Sequence, residues 1–225
     1  MKNTKKVMLL NGLARAGKDT TAKIMQEELL KQGKTVKVLA FADKLKDMVC
    51  EMFNLTREQL DDYKNNSDRW GVHLMDYEED IDYQPTEHLT DFRTFLDTFG
   101  NKIAKTLGGD SIWADIVLKQ VQESDCEYFI ISDYRFPIEF LVFEEYNFEW
   151  YEQNSDVLGN YFTDEVPFNI NTIQIQRDGI KKLNLESAKS LDGYSFDYTI
   201  NNNSDLENLK EQVNIILNKI VKGDN

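Results

Sequence analysis

The chain has 225 residues, 41% of them hydrophobic and 12% aromatic, with a formal net charge of −14. That is apolar material for one sizeable α/β core with insertions, and it excludes wholesale disorder. So acidic a chain is a poor general binder of DNA, RNA or anionic membrane, so anionic ligands must meet a local cluster drawn from its 26 lysines and arginines.

The apolar run Val7-Met8-Leu9-Leu10 predicts a buried strand. Gly12-Leu13-Ala14-Arg15-Ala16-Gly17-Lys18-Asp19-Thr20 follows it, with two glycines five apart, then the lysine, then an amphipathic segment from Thr20 to Gln32. Strand, glycine-rich turn, lysine and helix start stand in the order of a phosphate-wrapping P-loop. Gly12 and Gly17 let the backbone turn its N–H groups inward, the helix N-terminus adds partial positive charge, and Lys18 reaches the β- and γ-phosphates of a nucleotide. The pattern asks for Ser or Thr directly after the lysine to hold Mg²⁺. Asp19 stands there instead, so either Asp19 or Thr20 is the candidate ligand. The apolar run after Lys6 is too short and too interrupted for a leader, and no stretch reaches the length of a membrane span. Cys50 and Cys126 are far apart and, with His73 and His88, make no metal-ligand spacing, so reduced cysteines in a soluble intracellular protein are expected.

Val36 to Phe41 predicts the second strand, and the helix before it implies a parallel crossover. Asp43 is the expected N-cap of a helix running to about Phe53, and Asp43, Lys44 and Lys46 follow a strand end where α/β proteins place ligands. Thr56-Arg57-Glu58-Gln59 is a capping box opening a short helix. Asp61 to Leu89 is polar and acidic and reads as a surface insertion; within it Arg69-Trp70 offers a charge and a stacking face. Thr90 is expected to cap a helix whose buried face is Phe92, Phe95, Leu96, Phe99, Ile103 and Leu107, with Arg93 at its start, where a guanidinium could clamp a phosphate bidentately. Gly108-Gly109 ends it. The next helix carries Trp113, which is either packing or lining for a substrate.

Glu127 to Asp133 is an apolar run ending in a carboxylate, the shape of a strand whose Asp orients a Mg²⁺ shell. Arg135 then falls at the rim of the nucleotide crevice, and Pro137 suits the first position of a helix. Phe143 to Ile170 shows no firm pattern and is expected to be an irregular insertion. Asn171–Gln176 predicts a fourth strand, Arg177-Asp178-Gly179 a turn, and Lys181 and Lys182 precede a short helix from Asn184. Asp197–Ile200 predicts the fifth strand, and an amphipathic helix closes the chain from Leu206 to about Val221. Strands alternating with helices predict an α/β, three-layer fold with a five-stranded parallel sheet.

In several blocks the sequence resembles phage-type deoxynucleoside monophosphate kinases, a family with the P-loop nucleoside monophosphate kinase fold. The blocks are Gly17-Lys18-Asp19-Thr20, Phe41-Ala42-Asp43-Lys44-Leu45-Lys46, the helix from Arg93 to Phe99-Gly100, Ile112-Trp113, Ile131 to Glu139, and Asp197 to Asn202. The chain departs from that family at Lys44, Tyr134 and Ile138, where the family has proline, valine and asparagine. The resemblance implies one kinase domain over residues 1–225 with a substrate-side insertion at about 54–91 and a lid at about 177–194. It implies ATP and Mg²⁺ as cofactors and transfer of the γ-phosphoryl of ATP to a deoxynucleoside 5′-monophosphate. On that reading the ATP phosphates fall to residues 12–20 and Arg177, and Mg²⁺ to Asp19 or Thr20 with Asp133. Arg135, helped by Arg15, bridges the transferred group. The acceptor falls to Asp43, Lys44, Arg69, Trp70, Arg93, Trp113 and Arg135. The partners are small nucleotides, with no nucleic acid and no membrane, in the cytoplasm (the host's, if phage-encoded); monomer and homodimer both stay open. A P-loop kinase of another small phosphorylated acceptor, or a non-catalytic nucleotide-binding regulator, shares the loop; no Asn-Lys-x-Asp guanine-reading element is present.

Overall fold

The structure, a computed structural model, describes residues 4–66, 70, 92–107, 109–158, 166–181 and 189–223. The chain divides into two compact units, one of residues 1–41 with 114–225 and one of residues 42–113.

In the first unit, strands β1 (Lys5–Asn11), β2 (Val36–Leu39), β3 (Tyr128–Ile131), β4 (Phe168–Gln176) and β5 (Tyr198–Asn201) form one sheet in the order β2-β3-β1-β4-β5. Every pairing is parallel, with Leu9 opposite Ile131 on one side and Thr172 on the other. The strands are therefore linked by crossovers, and the helices cover both faces. Period-two alternation splits β1 between two cores. Met8 and Leu10 pack with Ile24, Met25 and Leu29 of α1 (Lys18–Lys31) and Val213 and Leu217 of α7 (Leu206–Lys222). Val7 and Leu9 face Val117 and Val121 of α5 (Ile112–Glu123) and Val142 and Phe143 of α6 (Pro137–Leu158). All four β1 side chains are fully buried, each contributing about 1.5–3 kcal/mol. The result is a three-layer α/β fold with the carboxyl ends of all five strands on one edge, as expected.

The second unit packs α2 (Asp43–Met52), α3 (Arg57–Asn65) and α4 (Phe92–Leu107) around Leu45, Val49, Leu60, Trp70, Phe92 and Leu96. Gly100 is a contact point between helices: a Cβ there would lie 2.8 Å from Leu45 Cδ2 of α2. The capping box at α3 is reciprocal, Gln59 N–H donating to Thr56 Oγ1 at 3.2 Å and Thr56 N–H to Gln59 Oε1 at 2.8 Å.

Four expectations are corrected. The N-cap of α2 is Ala42, and Asp43 occupies the first helical turn, where its charge still suits the helix dipole. The buried stripe of α4 runs Phe92-Leu96-Gly100-Ala104, while Leu107 is 64% exposed, because the helix packs along an i, i+4 row. Residues 143–158 are not irregular but continue α6, which is 22 residues long. Strand β4 begins at Phe168, three residues before the alternation suggests. Arg69, the acidic run 76–82, Thr90, Gly108, Lys182 and the lid helix from Asn184 lie outside the described residues, as does 159–165 of the expected insertion. No helix among the described residues is long and apolar enough to cross a membrane.

Candidate functional site

The loop between β1 and α1 is shaped by two close approaches. A Cβ at Gly12 would stand 2.6 Å from the backbone oxygen of Ile175, so only glycine lets the chain leave β1 this near to β4. Within the turn Ala16 N–H donates to the Leu13 carbonyl at 3.1 Å, and exposed Arg15 adopts a φ of 68°. Gly17, at φ 103°, is the N-cap of α1 and no side chain caps it. The N–H groups of Lys18, Asp19 and Thr20 therefore lack an intrahelical acceptor and, with the helix dipole, suit an anion. Lys18 reaches back across the loop, its Nζ donating to the carbonyls of Gly12 at 2.7 Å and Leu13 at 3.0 Å. The two threonines part company here. Thr21 is buried and its Oγ1 donates to the Gly17 carbonyl at 3.0 Å, whereas Asp19 and Thr20 are exposed on the first turn.

Beyond β3, Asp133 is 7% exposed and accepts the Phe41 N–H at 2.7 Å, tying the ends of β2 and β3 together. Tyr134 is stitched to β1: its N–H donates to the Leu10 carbonyl at 3.0 Å and its carbonyl accepts from Asn11 Nδ2 at 2.9 Å. Burial, with Tyr194 adjoining, pushes its phenol pKa well up. Arg135 is exposed. Glu139, in the first turn of α6, is 6% exposed and its Oε2 accepts the N–H groups of Arg135 at 2.6 Å and Phe136 at 3.0 Å. Burial and the nearby Asp133 carboxylate push its pKa up to about 8, against the opposing pull of those two N–H groups.

On the other flank, Asn202 follows β5. Its N–H donates to the Gln176 carbonyl at 2.8 Å, and its Nδ2 donates to the Ala16 carbonyl at 2.8 Å. A Cβ on Gly17 would stand 2.3 Å from that Nδ2. Asn203 Oδ1 accepts the Asp178 N–H at 2.8 Å, so the loop after β5 braces both the phosphate loop and the turn that carries exposed Arg177. Neither Asn202 nor Glu139 was marked as a site residue by the sequence, although both lie in the resembling blocks, the one signal that could have found them.

In the second unit, Asp43 lies in a charge network, 3.7 Å from Arg57 and 3.8 Å from Lys46, and Lys44 is exposed. Trp70 is fully buried among Phe53, Tyr63, Phe92 and Phe95, so its ring is core and offers a base no face. Trp113 is half-buried and its Nε1 donates to the Gly100 carbonyl at 3.2 Å. Arg93 caps the end of α3, its Nε donating to the Lys64 carbonyl at 2.8 Å and a terminal nitrogen to Asn65 Oδ1 at 3.2 Å. Lys64 is held below its usual pKa by burial and then by the neighbouring cation Lys46, with Arg93 adding to the same effect and Asp61 opposing it. Lys46, Lys64 and Arg93 thus share a locally basic cluster of α2, α3 and α4, its charge partly offset because Lys64 Nζ pairs with Asp61 Oδ1 at 3.1 Å and Lys46 lies 3.8 Å from Asp43; Lys64 had no sequence signal beyond its charge.

Asp19 and Thr20 on α1 and Asp133 after β3 supply hard oxygen donors of the kind Mg²⁺ takes, few enough that water and phosphate would complete its shell. Among the described residues no three His, Cys, Asp or Glu side chains converge as an all-protein cage.

A parallel sheet ordered β2-β3-β1-β4-β5, with a glycine-and-lysine loop joining β1 to the helix behind it, defines a P-loop α/β protein. No protein-family model matches the chain, and no curated protein sequence matches it. Among solved structures, it is similar to a Cys556Ala mutant of the APS kinase CysC of Mycobacterium tuberculosis, at 9% identity and a TM-score of 0.41, over 97% of this chain and 98% of that one. It is also similar to APE1195, at 13% identity and a TM-score of 0.38, over 99% of this chain and 97% of the other. At these values the fold class rests on the chain's own sheet order and loop.

Proposed function

We propose that this protein is a phosphotransferase that moves the γ-phosphoryl of ATP to deoxynucleoside 5′-monophosphates, giving ADP and the diphosphates, in the cytoplasm. The observation that carries the kinase reading is the uncapped α1 N-terminus behind Gly17, with the Lys18 ammonium laid across the turn. What supports a phosphorylated acceptor is the basic cluster of Lys46, Lys64 and Arg93 in so acidic a chain. The deoxynucleoside part rests on the resemblance of the sequence blocks.

No general base is required, because the acceptor's phosphate, with a second pKa of about 6, arrives largely ionised. The chain must align two anions and offset their charge. Backbone N–H groups of Gly12 to Thr20 and Lys18 hold the ATP phosphates, Arg177 flanks them, and Arg135 with Arg15 meets the group in transfer. Asp133 with Thr20 or Asp19 would hold Mg²⁺, which would supply neutralisation of charge on the phosphates.

The test is ADP release with Mg-ATP against every dNMP and NMP, with Lys18→Ala as control. Turnover is expected on dNMPs, and the control should lose on the order of a thousandfold, since phosphate neutralisation is the main catalytic contribution. Near-normal turnover in Lys18→Ala would overturn the assignment. Silence on all nucleotides, with ATP bound, would transfer the search to other small phosphorylated acceptors.

A further inference from the structure

Three residues after β3 have nearly every backbone polar group engaged, and by three different elements. Tyr134 donates and accepts across to β1. The N–H groups of Arg135 and Phe136 go to one carboxyl oxygen of Glu139 on α6. The Arg135 carbonyl accepts from Ser190 Oγ, in the turn that ends the 177–194 segment. An exposed turn can leave such groups to water, so a loop tied this fully is a device for fixing what it carries. What it carries is the exposed side chain of Arg135, a long side chain whose rotamer freedom is costly to restrain.

We infer that Glu139 and Ser190 are positioning residues for phosphoryl transfer, holding the Arg135 backbone so that its guanidinium meets the moving group. The inference rests on the phosphotransferase reading above. The plain alternative is that Glu139 merely caps α6 from its third position, as half of a capping box. An exposed carboxylate would cap as well, whereas this one is kept buried beside a second carboxylate, an arrangement that burial alone disfavours. Among the described residues Ser190 caps no helix, and a helix cap does not explain why the carbonyl of the same Arg135 is held as well.

The experiment combines steady-state kinetics with a measurement that needs no turnover. Arg135→Ala should lower kcat by about a hundredfold or more, the usual loss for one transition-state donor. Ser190→Ala and Glu139→Leu should each lower kcat about tenfold with the KM for ATP nearly unchanged, and Ser190→Thr and Glu139→Gln, which keep an acceptor or donor in place, should restore most of it. In Arg135→Ala, adding Ser190→Ala should cost nothing further, because the two act as one unit. Wild-type kcat in Ser190→Ala, or the same tenfold loss in both backgrounds, would overturn the inference. ¹⁵N relaxation of the Arg135 amide and its Nε should report order in the wild type and added motion in Ser190→Ala; unchanged order would overturn it too. A wild type that turns over no acceptor would instead break the phosphotransferase reading and leave the relaxation result to decide the hold. Ser190→Ala, at a surface turn, carries the test if Glu139→Leu does not fold.

Discussion

Gly17 is bound by two separate constraints. Its φ of 103° is strained for any L side chain, and the space where a Cβ would go is filled by the Asn202 amide, 2.3 Å away. Gly17→Ala should therefore cost about 1–2 kcal/mol from the backbone alone. It should also push Asn202 off the Ala16 carbonyl, weakening ATP binding about tenfold or more, or ~1.4 kcal/mol. Asn202→Ala in the same chain should recover part of that loss, since the collision goes and the strain stays. Titration calorimetry with ATP checks both, and undiminished affinity in Gly17→Ala would mean that neither constraint acts. The legibility of the two partners differs for a physical reason. Gly12, Gly17 and Lys18 stand at a fixed local spacing, and that spacing exposes them even though the contacts that exclude a Cβ at the two glycines, with Ile175 and Asn202, come from far along the chain. Asn202 acts on a carbonyl 186 residues away, and nothing near it in the chain announces that contact.

At the scale of elements, what was legible is what local chemistry decides: β1 with its loop and α1, the Thr56 capping box, and Pro137 as the first residue of α6. The body of α6 was not. Its apolar residues fall on several faces, with Val142 and Phe143 buried and Leu141 and Phe148 exposed, so no period stands out. Buried Asn147 of α6 pairs both ways with Phe168, donating to its carbonyl at 2.8 Å and accepting its N–H at 3.0 Å, which secures the early start of β4 from another element. The first turn of α6 also makes a pH prediction. Glu139 has a folded pKa near 8 against an ordinary 4.5, from burial first and Asp133 second. Between those values the unfolded chain has released the proton while the fold keeps it, so ν_N exceeds ν_U and stability falls as pH rises, levelling off above about 8. Glu139→Gln, neutral throughout, should flatten that fall. Thermal melts at pH 5.5 and 8 in EDTA, which keeps Mg²⁺ from offsetting the Asp133 charge, should show a smaller Tm difference in the variant; an equal difference would assign the pH dependence elsewhere.

For the molecule as a whole, the division into 1–41 with 114–225 and 42–113 has no mark in the sequence, because neither boundary carries a Gly- or Pro-rich linker. It follows instead from which residues share a core, and that depends on contacts far apart in the chain. The groups assigned to ATP, from Gly12 to Thr20 with Asp133, Arg135 and Arg177, belong to the first unit; the basic cluster of Lys46, Lys64 and Arg93 belongs to the second. A ligand stabilises the structure that binds it by RT ln(1 + [L]/Kd), about 2.7 kcal/mol at a hundredfold excess over Kd. Mg-ATP alone should therefore slow amide hydrogen exchange first in β1, β3 and the start of α1, by up to about a hundredfold. A dNMP alone should do so first in α2, α3 and α4. Hydrogen exchange read by mass spectrometry on peptides of each unit separates the two. Stronger protection of 42–113 than of the sheet by Mg-ATP would place the donor nucleotide on the wrong unit and overturn the assignment of both sites at once.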